Sequence, residues 1–133
     1  MKLSTKGRYG LRVMYYLARD NERVCTLSEL SYKTGVNAPY LEKILGYLKK
    51  GELVSTERGA NGGYILSRPA KDISIGEILR LLEDNMYLAE CNSGKCDKGT
   101  CPNMKIFNHI YKEINKVLDN MNLEDMLGDD NNG

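Results

Sequence analysis

The chain has 133 residues, of which 41% are hydrophobic and 28% charged, a composition typical of folded globular proteins rather than disordered ones. Arginines interrupt the hydrophobic residues of the opening stretch, MKLSTKGRYGLRVMYYLARD, and no segment reaches the roughly 18 apolar residues of a membrane helix. We therefore expect a cytoplasmic protein. In that compartment, clustered cysteines bind metals or sense oxidants more often than they form disulfides.

The net charge of +1 is divided unevenly along the chain. Residues 1–68 carry twelve Lys and Arg against six Asp and Glu, whereas residues 69–133 carry seven against twelve. A basic half suggests contact with a polyanion, although charges also cluster by chance in short chains.

The first half predicts three helices. Residues 3–19 have a broad apolar face, and Thr26 and Glu29 form a capping box for a second helix that would end at Gly35. Asn37 can cap a third helix. The buried stripe of that third helix is Leu41, Ile44, Leu45 and Leu48. Two short helices joined by a glycine-containing turn predict a helix-turn-helix, although a plain helical hairpin has the same pattern.

Residues 53–57 and 64–67 predict two strands around a glycine-rich loop, so a hairpin wing follows the helices. On the side of the third helix that is not buried, lysines can bind DNA phosphates. A glutamate there can accept a hydrogen bond from the amino group of cytosine. An arginine at the tip of the wing suits a narrow minor groove. The candidate DNA-binding residues are Tyr40, Glu42, Lys43, Tyr47, Lys49, Lys50, Arg58 and Asn61.

The second half predicts two more helices. Ser74 and Glu77 form a capping box for a helix that would extend to about Leu88. A long helix after the cysteines has an apolar stripe that favours packing against a second copy of the chain, although folding back on its own domain would also cover it. The predicted dimer interface is Ile106, Ile110, Ile114, Val117 and Met121.

The predicted fold is mainly α with a small β-hairpin wing. A winged helix-turn-helix DNA-binding domain would occupy residues 1–70. A dimerisation region, 71–127, would contain the cysteine loop 89–103 and the long C-terminal helix. We expect a disordered tail at 128–133, because its sequence, GDDNNG, is polar.

Cys91, Cys96 and Cys101 are separated by four residues each time, which is neither the spacing of zinc ribbons nor that of a C-x-x-C redox motif. Glycines between them would let three sulfurs converge on one centre. Lys95 and Lys98 would offset the negative charge of a thiolate-ligated cluster. From the residues alone, an iron–sulfur cluster, a zinc ion and a metal-free loop with oxidisable thiols all stay open.

The segments MKLSTKGRYGLRVMYYLA, YLEKILGYLKKGELVSTERGANGGYILSRP and ISIGEILRLLE resemble the Rrf2 family of bacterial winged-helix regulators. The likeness extends over residues 1–127. It implies a homodimeric transcriptional regulator, which we expect to be a repressor, bound to near-palindromic operator DNA. It also implies that Tyr40, Glu42 and Arg58 contact DNA or respond to the sensing state.

In the IscR-like and NsrR-like branches of this family, three cysteines of the same loop hold an iron–sulfur cluster. The resemblance assigns that role to the three cysteines here, and we favour a [2Fe-2S] cluster. Met104 stands where the IscR-like pattern has a histidine ligand, and Arg8 where the NsrR-like pattern has an acidic one. Asn103, His109 and a residue of the second subunit are therefore the candidates for a fourth ligand.

The alternative is a CymR-like regulator of cysteine or sulfur metabolism without a cofactor, acting through a partner enzyme or thiol oxidation. In that branch a cysteine near the position of Cys25 acts as an oxidant sensor, although isolated cysteines are more often small buried hydrophobic residues. An iron–sulfur electron carrier would have no use for a wing. A single histidine with no orienting partner gives little support to catalysis, so we do not expect an enzyme.

Overall fold

The structure, a computed structural model, describes residues 2–59, 62–86 and 101–131. Its elements in chain order are α1 (Thr5–Arg19), α2 (Leu27–Thr34), α3 (Ala38–Lys50), β1 (Val54–Glu57), β2 (Gly63–Leu66), a 3-10 turn (Ala70–Asp72), α4 (Ile75–Leu82), α5 (Pro102–Asn120) and α6 (Leu123–Asn131). This confirms the predicted fold class, mainly helical with one small antiparallel hairpin.

The helix-turn-helix begins and ends at the predicted residues. Thr26 Oγ1 accepts from the backbone N–H of Glu29 at 3.1 Å and caps α2, which ends at Gly35 with a φ of 75°. Asn37 Oδ1 accepts from the N–H of Tyr40 at 3.0 Å and caps α3. Because α2 and α3 are capped on either side of a short turn, their relative orientation is fixed locally.

One core holds the helices together. The stripe predicted for α3 is fully buried, and the largest fully buried side chains of the other elements pack around it. Those residues are Met14, Leu17, Leu30, Leu53, Ile73, Ile78, Leu82 and Leu123. Because the buried stripe fixes the rotation of α3 about its axis, the rest of its circumference faces outward.

The wing is slightly shifted from its predicted bounds. Val54 pairs with Leu66 and Glu57 pairs with Gly63 in an antiparallel register. A third segment joins this pair, since Cys25 forms an isolated bridge with Tyr64 of β2. The hairpin is therefore anchored to the connection between α1 and α2.

The prediction that α4 extends to about Leu88 was wrong. The helix ends at Leu82, and Glu83 has an extended backbone with φ −87° and ψ 142°. Its carboxylate accepts two hydrogen bonds from Ser4 at the start of α1, a tertiary contact that helical periodicity does not reveal. Residues 87 and 88 lie outside the described part of the chain.

Helix α6 was not predicted from the sequence. The expected disorder of the tail 128–133 stays a prediction. A reciprocal cap begins α6. Asn122 Oδ1 accepts from the N–H of Asp125 at 3.0 Å, and Asp125 Oδ2 accepts from the N–H of Asn122 at 2.9 Å. Acidic residues in the first turn also favour the helix through its dipole.

Candidate nucleic-acid interface

The exposed side of α3 carries most of the predicted DNA-binding residues. Glu42, Lys43, Lys49 and Lys50 are exposed, Tyr47 is partly exposed at 37%, and Tyr40 is half-buried. Three lysines against one glutamate make this face basic. It can therefore contact phosphates through its lysines and leave one carboxylate for a base edge.

Tyr40 is held by a chain of contacts from the other helices. Its ring meets the ring of Tyr9 edge to face, with centroids 6.0 Å apart. The guanidinium of Arg12 lies 5.2 Å from the Tyr9 ring and donates to the carbonyl of Thr34, at the end of α2, over 2.8 Å. The start of α3 and the end of α2 are therefore both fixed against α1.

Lys6 is a residue of this surface that the sequence did not reveal. Its Nζ lies 4.5 Å from the centre of the Tyr47 ring, a cation–π contact between α1 and α3. Lys6 and Lys43 both line an open pocket of about 310 Å³ between the start of α1, α3 and the end of α4. No local pattern marks Lys6, because its position depends on how α1 packs against α3.

The wing lies beside α3. Strand β1 contacts α3. Burial raises the pKa of the Tyr64 phenol, and the negative charge of Glu42 raises it further. Arg58 is exposed directly after β1 and precedes Gly59, which has a φ of 112° that favours glycine. Asn61, the other predicted residue of the wing, lies outside the described residues.

Of the three clustered cysteines, the structure describes Cys101 alone, since Cys91 and Cys96 lie outside the described residues. Cys101 is half-buried at the start of α5 and its side chain makes no capping hydrogen bond, so the thiol is not committed to the helix. Within residues 2–59, 62–86 and 101–131, no three His, Cys, Asp or Glu side chains are placed to hold a metal.

The two candidate fourth ligands within the chain differ in distance from Cys101. Asn103 lies in the same first turn of α5 and is exposed. His109 is also exposed, but eight residues of helix place it roughly 12 Å further along the axis. Asn103 is therefore within one turn of Cys101, whereas His109 is about two turns away.

Cys25 is fully buried, as expected for an isolated cysteine. Burial raises the pKa of its thiol, against a smaller lowering by the positive charge of Arg23. The thiol is therefore held in its protonated, less reactive form.

The predicted dimer stripe lies largely in solvent. Ile106, Ile110, Val117 and Met121 are 60%, 38%, 56% and 43% exposed, and Ile114 is half-buried. Another side of α5 packs on the core through Tyr111 and Leu118. The helix therefore folds back on its own domain and still presents an uncovered apolar stripe.

A guanidinium fork holds α5 against α4. Arg80 donates to Asp119 Oδ1 at 2.6 Å and to Asn115 Oδ1 at 2.7 Å. At the end of α5, the carbonyl of Met121 accepts from the N–H of Ile75 at 2.8 Å. The orientation of the apolar stripe is thus fixed relative to α4.

Within the part of the chain that the structure describes, no helix combines the length and apolar character needed to cross a membrane. The Rrf2 family model, described as an iron-dependent transcriptional regulator, matches residues 3–129. IscR of Vibrio vulnificus, an HTH-type transcriptional regulator, is 31% identical over 97% of this chain and 79% of its own length.

Solved structures show the same likeness. The structure of T. potens IscR matches with a TM-score of 0.81 and 37% identity, covering 97% of this chain and 88% of that one. CymR of B. subtilis, the global cysteine regulator, matches with a TM-score of 0.83 and 31% identity, covering 95% of each chain. As its sequence suggests, the chain belongs to the Rrf2 family of DNA-binding transcriptional regulators, which are not enzymes.

Proposed function

We propose that this protein is a homodimeric cytoplasmic repressor whose operator affinity is controlled by an iron–sulfur cluster, of the [2Fe-2S] type, held by Cys91, Cys96 and Cys101. The observation that carries the proposal is where the cysteine segment joins the fold. The chain leaves α4 at Glu83, beside the start of α1, and the described structure resumes at Cys101, at the head of α5. The family's description as iron-dependent supports a metal cofactor.

The DNA-contacting surface in this proposal is the exposed side of α3 together with the wing. Lys43, Lys49 and Lys50 would bind phosphates and set affinity. Glu42 would contact a base edge and set sequence preference. Tyr40 and Tyr47 would contribute aromatic contacts beside them. Arg58 and Asn61, at the wing, would reach the adjacent minor groove.

The exposed stripe of α5 would pair with the same stripe of a second copy. Such an isologous contact buries apolar side chains that are otherwise in water, and it gives the two-fold symmetry that a near-palindromic operator requires. Because Arg80 fixes α5 on α4, the dimer contact would also fix the separation of the two α3 helices.

Helix α4 contacts both α3, which carries the proposed DNA-contacting surface, and α5, which carries the proposed dimer stripe. Leu81 packs against Gly51, the C-cap residue of α3, so closely that a Cβ at Gly51 would overlap the leucine side chain. The preceding residue, Arg80, holds α5. A displacement of the end of α4 would therefore move α3 relative to α5. Affinity depends on the spacing of the two recognition helices, near one helical turn of DNA, about 34 Å.

Cysteine thiolates are the usual ligands of iron–sulfur clusters, and Cys101 fits that role because its half-buried side chain is not used as a cap. Of the two candidates for a fourth ligand within the chain, Asn103 is the nearer and His109 the more distant. A bound cluster would join the three cysteines covalently through metal. It would change DNA affinity only by favouring one arrangement of the chain over another.

The test is to purify the protein anaerobically, record its visible absorption spectrum and measure iron and acid-labile sulfide. Cys91→Ala, Cys96→Ala and Cys101→Ala should each lose the brown chromophore, because alanine cannot ligate iron. Cys25→Ala is the matched control and should keep it. Stoichiometric zinc in place of iron, or a chromophore that survives all three loop substitutions, would refute the proposed cluster.

A second candidate function is a cofactor-free regulator of the CymR type, favoured by the likeness to the B. subtilis structure. In that case thiol oxidation would be the signal. The half-buried Cys101 would be a better target than Cys25, because burial keeps the Cys25 thiol protonated. An iron-free, colourless protein whose DNA binding responds reversibly to oxidant would support this alternative.

A further inference from the structure

Glu83, the first residue after α4, lies against the N-terminus of α1. Its Oε1 accepts from the backbone N–H of Ser4 at 2.9 Å and from the Ser4 hydroxyl at 2.9 Å. The same hydroxyl oxygen accepts from the N–H of Gly7 at 3.1 Å and so caps α1. A carboxylate at this end of a helix is favoured by the helix dipole and by the unpaired N–H groups there.

The sequence of α1 makes room for this contact. A Cβ at Gly7 would overlap the Glu83 carboxylate, and a Cβ at Gly10, one turn later, would overlap the side chain of Leu82. Two glycines spaced three residues apart thus let the end of α4 approach the α1 backbone. A side chain at either position would displace the Glu83 or Leu82 side chain from its present place.

The first turn of α1 also contacts the candidate recognition helix. Lys6, two residues after Ser4, lies over the Tyr47 ring of α3 at 4.5 Å. The carboxylate of Asp84, which follows Glu83, lies 4.0 Å from the same Lys6 ammonium. Glu83 and Asp84 therefore contact the first helical turn of α1, and that same part of α1 contacts α3 through Lys6.

We propose that Glu83 is a positioning residue for DNA binding: by holding the first turn of α1 it sets Lys6 against Tyr47 and so fixes α3. The proposal rests on the proposed function: the Glu83–Ser4 contact transmits a change in the cysteine segment to the DNA-binding surface. Glu83 itself has an extended backbone, so the chain leaves α4 at the residue whose carboxylate holds Ser4.

The experiment measures one ratio, the affinity of cluster-loaded protein divided by that of metal-free protein. The DNA is a duplex selected from random sequence by the wild-type protein. Allosteric couplings of this kind usually amount to about 5–150-fold. Glu83→Ala removes the carboxylate that accepts from Ser4. Gly7→Ala leaves Glu83 in the sequence but adds a Cβ that displaces its carboxylate. Both variants should bring the ratio close to one while iron content and oligomeric state stay at wild-type levels.

Two variants serve as matched controls. Glu124→Ala removes an exposed carboxylate of α6, and Gly128→Ala adds a Cβ where no atom lies within 4 Å. Both should keep the wild-type ratio. Glu83→Gln, whose amide oxygen still accepts from Ser4, should restore most of it. A wild-type ratio in either Glu83→Ala or Gly7→Ala overturns the inference, whereas a ratio of one in the wild-type protein overturns the proposed sensing function itself.

Discussion

Cys25 and Tyr64 exchange two backbone hydrogen bonds, of 2.9 and 2.8 Å, and so attach the second wing strand to the segment before α2. On its other side Tyr64 pairs with Thr56 of β1. An isolated two-stranded hairpin is at best marginally stable, and this third segment supplies the pairing that it lacks. The wing is thereby oriented by the same connection that leads into the helix-turn-helix.

Replacing Gly63 by alanine should destabilise the fold, because a Cβ there would overlap the backbone of Cys25. Overpacking of this kind costs about 1–3 kcal/mol, which urea unfolding would measure. Gly46→Ala is the matched control, since a Cβ at Gly46 meets no atom within 4 Å. Alanine in a helix should stabilise it by up to about 1 kcal/mol. A Gly63→Ala protein as stable as wild type would show that the wing is not packed this closely.

Cys25 should react slowly with iodoacetamide in the folded protein, because burial excludes the reagent and raises the pKa of the thiol. Cys101, half-buried at the start of α5, should react faster in metal-free protein. Peptide mass spectrometry after timed alkylation would compare the two, with urea-unfolded protein as the control for full reaction. Equal rates in the folded state would argue that Cys25 becomes accessible and restore it as a candidate sensor.

The Asp20–Lys33 pair should make stability depend on pH. The hydrogen bond from Lys33, 2.5 Å long, lowers the pKa of Asp20, outweighing the opposite effect of burial. A lowered carboxyl pKa in the folded state stabilises the fold above the unfolded-state pKa, about 3.9, and that stabilisation is lost as the pH falls through the lower folded value.

Asp20→Asn should therefore be less stable than wild type at neutral pH, by about 1 kcal/mol or less. The difference should shrink as the pH falls below about 3.9. Urea unfolding at both ends of this range measures it, and Lys33→Gln should reproduce the pattern. A difference between wild type and Asp20→Asn that grows on acidification would contradict the assignment.

Aspartate in place of Ile110 or Val117 should break the dimer. Both side chains lie in the exposed stripe of α5, where a second copy would bury the new charges without partners. Sedimentation should show monomers, and operator binding should fall with dimer formation. Lys112→Asp, an exposed change on the same helix, should stay dimeric. If the Ile110 and Val117 variants remain dimers, the subunits meet elsewhere.

DNA affinity should fall steeply with salt, by about 0.9 log units per log unit of salt for each phosphate contact. Lys49→Ala should weaken binding to all sequences alike and reduce this slope. Glu42→Ala should instead relax preference at one base pair, where a lost base contact costs about 1–3 kcal/mol. Fluorescence anisotropy on selected and random duplexes separates the two effects, and Lys116→Ala on α5 is the control. Binding that ignores salt would rule out this surface.

Local signals in the sequence were sufficient to predict the helix-turn-helix. The caps at Thr26 and Asn37 and the buried stripe of α3 depend on residues within a few positions of one another, and the structure confirms them. Once that stripe is fixed, the exposed lysines of α3 follow from helical geometry. The apolar stripe of α5 was likewise predicted from the helical spacing of its hydrophobic residues.

Long-range contacts were not predictable in the same manner. The end of α4 is set by Ser4 at the start of α1, about 80 residues away in the chain, and the position of Lys6 by Tyr47 of α3, about 40 residues away. The helix α6 was not predicted for another reason: the reciprocal cap of Asn122 and Asp125 that begins it was not recognised in the sequence.

The most direct test of the central claim is operator affinity in two states of one sample. Anaerobically purified wild-type protein is titrated onto the selected duplex at fixed salt, before and after a chelator removes the metal. We expect the two dissociation constants to differ by at least about fivefold, the lower end of typical allosteric coupling. The same comparison in Cys96→Ala protein should show no difference. Equal affinities for the loaded and metal-free wild-type protein would contradict control of DNA binding by the cysteine segment.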